Sequence, residues 1–177
     1  MAAIPYPDPD EVAGLAEVYA EIGGIRGYVS NLYRIMGHAP EGLRAYIGLS
    51  HYVRDQSSLP PQLKELAILQ TGATIGSEYE KAHHVWEGRK AGLPEDKIQA
   101  ILSGSRDPFD ERELAVLDYA RSIAASRSAT PEMIERLRRH LSLRQISDLL
   151  LTVGMYHMCA SILLGMEVEL DGFVPGI

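Results

Sequence analysis

The chain has 177 residues, 46% apolar and 23% charged, enough length and apolar content for one domain whose core needs no staples. Seventeen Lys and Arg against twenty-four Asp and Glu give a formal net charge of −7, which argues against a nucleic-acid partner, because phosphate neutralisation needs a basic face. The lone cysteine, Cys159, excludes an internal disulfide and any two-thiol redox centre within the chain.

A reducing, cytoplasmic setting is expected, since residues 1–10 carry Pro5, Pro7 and Pro9 but no basic or apolar leader pattern. Apolar spacing of three and four dominates the rest, so the fold is predicted to be all-α, one compact domain over 1–177 with about eight helices. Asp10 is positioned to cap a first helix to about Ile22, which Gly23-Gly24 would stop. Asn31 to Met36 predicts a short helix, and Pro40 opens another to about Val53. Ser58-Leu59-Pro60-Pro61 marks the next start, for a helix from Gln62 to about Thr74 that Gly72 and Gly76 are expected to loosen.

Ser77 then opens a helix to Lys90, closed by Gly92, and Pro94 restarts a short one through Leu102. Asp110 caps a helix to about Ala125, Thr130-Pro131 starts one to His140, and Ser142 with Gln145 forms a capping box for a long apolar helix. From Leu149 to Met166 no residue is formally charged. Its length is near the lower limit for crossing a bilayer. Thr152, Tyr156, His157 and Ser161 interrupt it and its flanks, Asp148 and Glu167, are not interfacial anchors, so it is read as a buried helix, and an oligomer interface is expected.

The densest run of functional side chains is Ser77-Glu78-Tyr79-Glu80-Lys81-Ala82-His83-His84. Glu80 and His84, four apart, share a helix face, where a carboxylate can hold one imidazole nitrogen and leave the other free for proton transfer. If the two helices pair antiparallel, Glu65 reaches the same place. The same residues also fit a capping box in which Ser77 accepts from the amide of residue 80 and Glu80 reaches back, so Glu80 is either a cap or a chemical group. No HExxH or comparable ligand spacing and no phosphate-binding glycine pattern is present, and neither a metal nor a cofactor is expected.

The runs Lys64-Glu65-Leu66-Ala67-Ile68-Leu69, Gly76-Ser77-Glu78-Tyr79-Glu80, Ala82-His83-His84 and Ala91-Gly92-Leu93 resemble the carboxymuconolactone decarboxylase-like family, related to alkylhydroperoxidase D. Ser30-Asn31-Leu32-Tyr33-Arg34, Phe109 to Glu113 and Gly154-Met155-Tyr156 extend the resemblance over nearly the whole chain. It implies an all-helical domain that assembles into trimers or hexamers, with the site near a helical hairpin. In the family's thiol branch the motif Glu falls on Glu65, the two CxxC thiols on Ser77 and Glu80, and the His on His84. A hydroxyl and a carboxylate cannot cycle through sulfenate and disulfide.

The decarboxylase branch, whose Gly, Glu and His resemble Gly76, Glu78, Glu80 and His84, is the closer chemical relative. The resemblance implies a lyase or isomerase acting on a small organic acid or lactone, with His84 as acid or base, Glu80 as its orienting partner and Glu65 as a second proton site. Tyr156, Ser77, Tyr79 and Arg34 are the candidate substrate contacts. Arg34 is included because Ser161 stands where relatives often carry an arginine. Two other readings stay open: a ligand-binding oligomer without catalysis, and a residual thiol peroxidase using Cys159, a residue equally suited to being an inert core thiol.

Overall fold

The computed structural model describes residues 2–172. Among them are nine α-helices and no strand: α1 (Leu15–Arg26), α2 (Asn31–Ile35), α3 (Pro40–His51), α4 (Pro61–Ile75), α5 (Glu78–Lys90), α6 (Glu95–Ser103), α7 (Glu111–Ser126), α8 (Pro131–His140) and α9 (Leu143–Gly165). Both halves of a capping box form at Asp110/Glu113 and at Ser142/Gln145. Proline occupies the first turn of α3, α4 and α8, where its missing N–H costs nothing.

The first helix departs from expectation at both ends. Asp10 does not cap it, because its own N–H donates to the Asp8 carboxylate at 2.9 Å inside a preceding turn. The helix starts at Leu15 and passes through Gly23-Gly24, ending only where Gly27 takes the left-handed conformation, φ 79°. Two helical glycines cost about 1 kcal/mol each relative to alanine, but fully burying Leu15, Val18 and Ile22 returns about 1.5–3 kcal/mol per side chain.

A second departure follows α3. The chain underwinds into a five-residue π turn, Tyr52–Gln56, a form that recurs at functional sites. Asp148, buried on α9, fixes it: Tyr52 donates to the carboxylate at 2.6 Å, and Ser58 does so twice, from its N–H at 2.7 Å and its hydroxyl at 2.5 Å. From the other side the buried ammonium of Lys64 donates to the carbonyl of Arg54.

Helix α4 is the axle of the fold, with every residue from Leu63 to Gly72 buried. One apolar cluster gathers α4, α7, α8 and the first half of α9 (Leu149, Val153). A second gathers α1 to α3 around Ile68, Tyr79 and the later half of α9 (Met155, Tyr156, Cys159, Leu163). Helix α9 is long and apolar enough to cross a membrane by length and composition, yet half of that stretch is buried within the fold. Its outer face exposes Leu143, Leu150, Leu151, Met158 and Leu164.

Gly72 does not loosen α4, which continues to Ile75 and stops at Gly76, φ 82°. It lets α5 come close: a Cβ there would lie 3.0 Å from the Glu80 Cβ. Gly72→Ala is therefore expected to lower stability by about 1–3 kcal/mol through overpacking, read as a lower denaturation midpoint; an unchanged or higher midpoint would show that the two helices have slack.

Candidate active site

The turn at Gly76-Ser77 folds α5 back along α4, so that Gly72 faces Glu80 and Glu65 faces His84. Ser77 is buried and caps α5, its Oγ accepting from the Glu80 N–H at 3.3 Å. Its own N–H is bonded to the Gly72 carbonyl at 3.0 Å. The return bond of a capping box therefore does not form, and the Glu80 side chain turns inward instead.

Three buried groups meet there. His84 Nδ1 lies 2.7 Å from Glu65 Oε2, a charge-assisted hydrogen bond across the two helices. Nε2 faces Glu80 Oε2 at 3.5 Å, an ion-pair distance rather than a good hydrogen bond. The orienting partner is thus Glu65, and the role expected of Glu80 is corrected: it stands on the free side of the ring. The i,i+4 spacing puts Glu80 near the ring but one turn along the same helix, whereas Glu65 approaches head-on from α4. The Tyr156 ring meets His84 edge-on, centroids 4.7 Å apart at 88°. Burial pushes the Glu80 carboxyl above the ordinary glutamate value, opposed by His84, His83 and Arg54.

Glu80, His84 and Tyr156 open onto a cavity of about 50 Å³, space for a few water molecules. Tyr79 also lines it, but its hydroxyl donates to the Asp171 carboxylate, and burial with that bond raises its pKa. His83 stacks on Tyr79 at 4.2 Å and places Nε2 3.0 Å from the same Asp171 oxygen. Burial alone would raise the Asp171 carboxyl; bonds from His83, Tyr79 and the Asn31 amide hold it below its usual range. Cys159 reaches the cavity, with Sγ 2.7 Å from the Tyr46 hydroxyl, and burial pushes its thiol well up, where thiolate is scarce at neutral pH.

Two of the candidate substrate contacts lie elsewhere. Ser77 is a helix cap that does not line the cavity. Arg34 points away, donating to Asn31 Oδ1 at 3.1 Å with its guanidinium 4.3 Å over the Tyr6 ring. The short α2 turns that side of the helix outward. The cations at the cavity are Arg54 and Arg26. Arg54 rides on the π turn, which no 3.6-residue periodicity reveals. Burial opposes its charge, but Tyr156, Glu87 and Glu65 hold its pKa above the ordinary arginine value. Among the described residues, no cluster of three His, Cys, Asp or Glu side chains has the geometry to hold a metal ion.

This geometry can be set beside known proteins. No curated protein matches the chain. A peroxidase-related protein from Ralstonia eutropha with an alkylhydroperoxidase AhpD core superposes with a TM-score of 0.82 at 16% identity, covering 97% of this chain and 93% of that one. A protein of unknown function from Agrobacterium tumefaciens, named as an AhpD candidate, is 25% identical with a TM-score of 0.70, covering 75% and 92%. The debrominase Bmp8 in complex with 2,3,4-tribromopyrrole gives 0.78 at 18% identity, covering 94% and 90%. Residues 40–122 match the Carboxymuconolactone decarboxylase family, a stretch that includes Glu65, Glu80 and His84. The chain thus has an AhpD-like fold, a single cysteine in place of a CxxC pair, and a central stretch, residues 40–122, that is similar to the Carboxymuconolactone decarboxylase family.

Proposed function

We propose that the cavity is the reaction site of a lyase or isomerase that acts by general acid/base chemistry on a small organic acid or lactone. The observation that carries this reading is the buried imidazole of His84 held between two carboxylates, at 2.7 and 3.5 Å, beside a cavity. With Nδ1–H donating to Glu65, the Nε2 lone pair faces the cavity side and accepts a proton there. The resulting imidazolium lies between two carboxylates, which stabilise its charge. In a decarboxylation the C–C bond electrons pass to the substrate's own electron sink as carbon dioxide leaves, and the imidazolium returns the proton to carbon. In an isomerisation the same nitrogen removes a proton from one carbon and delivers it to another.

The thiol reading fares worse, because Cys159 is buried with its pKa raised and has no second sulfur to resolve a sulfenate. The test is a panel of small lactones and β-keto acids incubated in deuterated water and followed by NMR. Turnover or deuterium uptake at carbon is expected to fall by about 10²–10⁴ in His84→Ala with the helical circular dichroism retained. Full activity in that variant would end the proposal, as would peroxide consumption abolished by Cys159→Ser.

The proton inventory has a consequence for stability. A carboxyl whose pKa is raised by folding contributes stability below its ordinary value of 4.5 that is lost as pH rises through the folded value. Glu80→Gln removes that loss. Its stability relative to the natural chain is therefore expected to be greater at about pH 8 than at about pH 5, measured by urea denaturation at both; a difference that is flat or reversed would place the Glu80 proton wrongly.

The same proposal includes self-association. The apolar residues exposed on α9 recur at positions 143, 150, 151, 158 and 164, along one helix face. Light scattering on the eluting protein is expected to give a species larger than the 19.5 kDa chain, and Met158→Glu to reduce it; a monomer at all concentrations would refute this part.

A further inference from the structure

Arg54 and Glu87 line the inner cavity and also two hollows outside it, of about 300 and 250 Å³. Their ion pair is thus the partition between the buried site and the surface. It is a loose partition, with Arg54 Nη2 3.6 Å from Glu87 Oε1 and the two side chains 25% and 21% exposed. That separation exceeds the 2.7–2.9 Å of a charge-assisted hydrogen bond.

Glu87 has a second cation within reach. Lys90 Nζ lies 3.5 Å from the same carboxylate oxygen, so Glu87 keeps a partner if it leaves Arg54. The backbone that carries Arg54 is anchored, because the Lys64 ammonium holds its carbonyl and Asp148 holds Tyr52 of the π turn. The larger hollow also presents Arg26 and the Trp86 ring. Arg26, Arg54 and Lys90 thus face two acids, Asp55 and Glu87, in the larger hollow, although the chain as a whole is acidic.

We propose that Arg54 recognises a carboxylate of the ligand, which arrives through the larger hollow, takes the place of Glu87 on the guanidinium and so opens the inner cavity. The planar guanidinium can grip a carboxylate with two parallel bonds, and its half-dry setting makes that grip stronger than in open water. Glu87 acts as an internal competitor that keeps the cavity closed until such an anion arrives. The proposal rests on reading the cavity as the reaction site, but it concerns binding and is tested apart from turnover.

Trp86 is the single tryptophan of the chain, and Lys90 Nζ sits 3.1 Å from its ring centroid, so a shift of Glu87 and Lys90 is expected to change its fluorescence. The full chain is titrated with benzoate and with benzamide, its neutral match, at fixed ionic strength. Benzoate is expected to give a saturable change and benzamide none. Arg54→Gln should weaken benzoate by about tenfold or more, Arg54→Lys should recover only part of that loss, and Glu87→Gln should tighten it. If Arg54→Gln does not fold, Glu87→Gln decides, since the proposal requires its effect to have the opposite sign. Equal binding of the two probes, no binding of benzoate, or benzoate affinity unchanged in Glu87→Gln would overturn the assignment. The benzoate titration reads anion recognition and deuterium uptake at carbon reads the acid/base chemistry, so failure of the one and failure of the other are distinguishable.

Discussion

The bond between Glu65 and His84 ties together the two helices on which the site depends. Both groups are buried, and each would be costly there alone; paired at 2.7 Å they satisfy one another. The bond also fixes which ring nitrogen carries the proton, because a carboxylate can only accept. Nδ1 must donate, and Nε2 is left facing the Glu80 side. A structural tie between α4 and α5 thus sets the chemical character of the ring. The close approach at Gly72 serves the same end by letting α5 lie near enough for the bond to form.

Around that tie the fold divides its labour. The cluster built on α7, α8 and the early part of α9 touches few functional side chains and gives α4 a rigid back. The cluster built on α1 to α3 supplies the cavity's tyrosines, Tyr33, Tyr46 and Tyr156 among them. Between the two runs α9, with Asp148 gripping the π turn on one stretch and Tyr156 touching His84 on another. The cation at the mouth and the aromatic wall of the cavity are consequently positioned by the same helix.

Much of this was legible in the sequence. Proline and capping residues located the starts of α3, α4, α5, α7, α8 and α9, and the helical spacing of Glu80 and His84 with Glu65 upstream located the three central groups. What escaped has physical causes. Glycine pairs read as stops, but burial of Leu15, Val18 and Ile22 overrides a local cost at Gly23-Gly24. The division of roles between Glu65 and Glu80 depends on the angle at which two helices meet, which one-dimensional spacing does not contain. Arg54 sits on underwound backbone that breaks the helical period, so nothing in the pattern of its neighbours distinguishes it from a surface arginine such as Arg34.

The contact between Cys159 and Tyr46 has a use of its own. The only sulfhydryl in the chain is sealed inside the second cluster, out of reach of an alkylating reagent while that cluster is shut. Any labelling of it must therefore wait for an opening, of the cavity mouth at Arg54 and Glu87 or of α9 against α3, so the labelling rate measures how often the cavity opens, residue-specifically and with no engineered reporter.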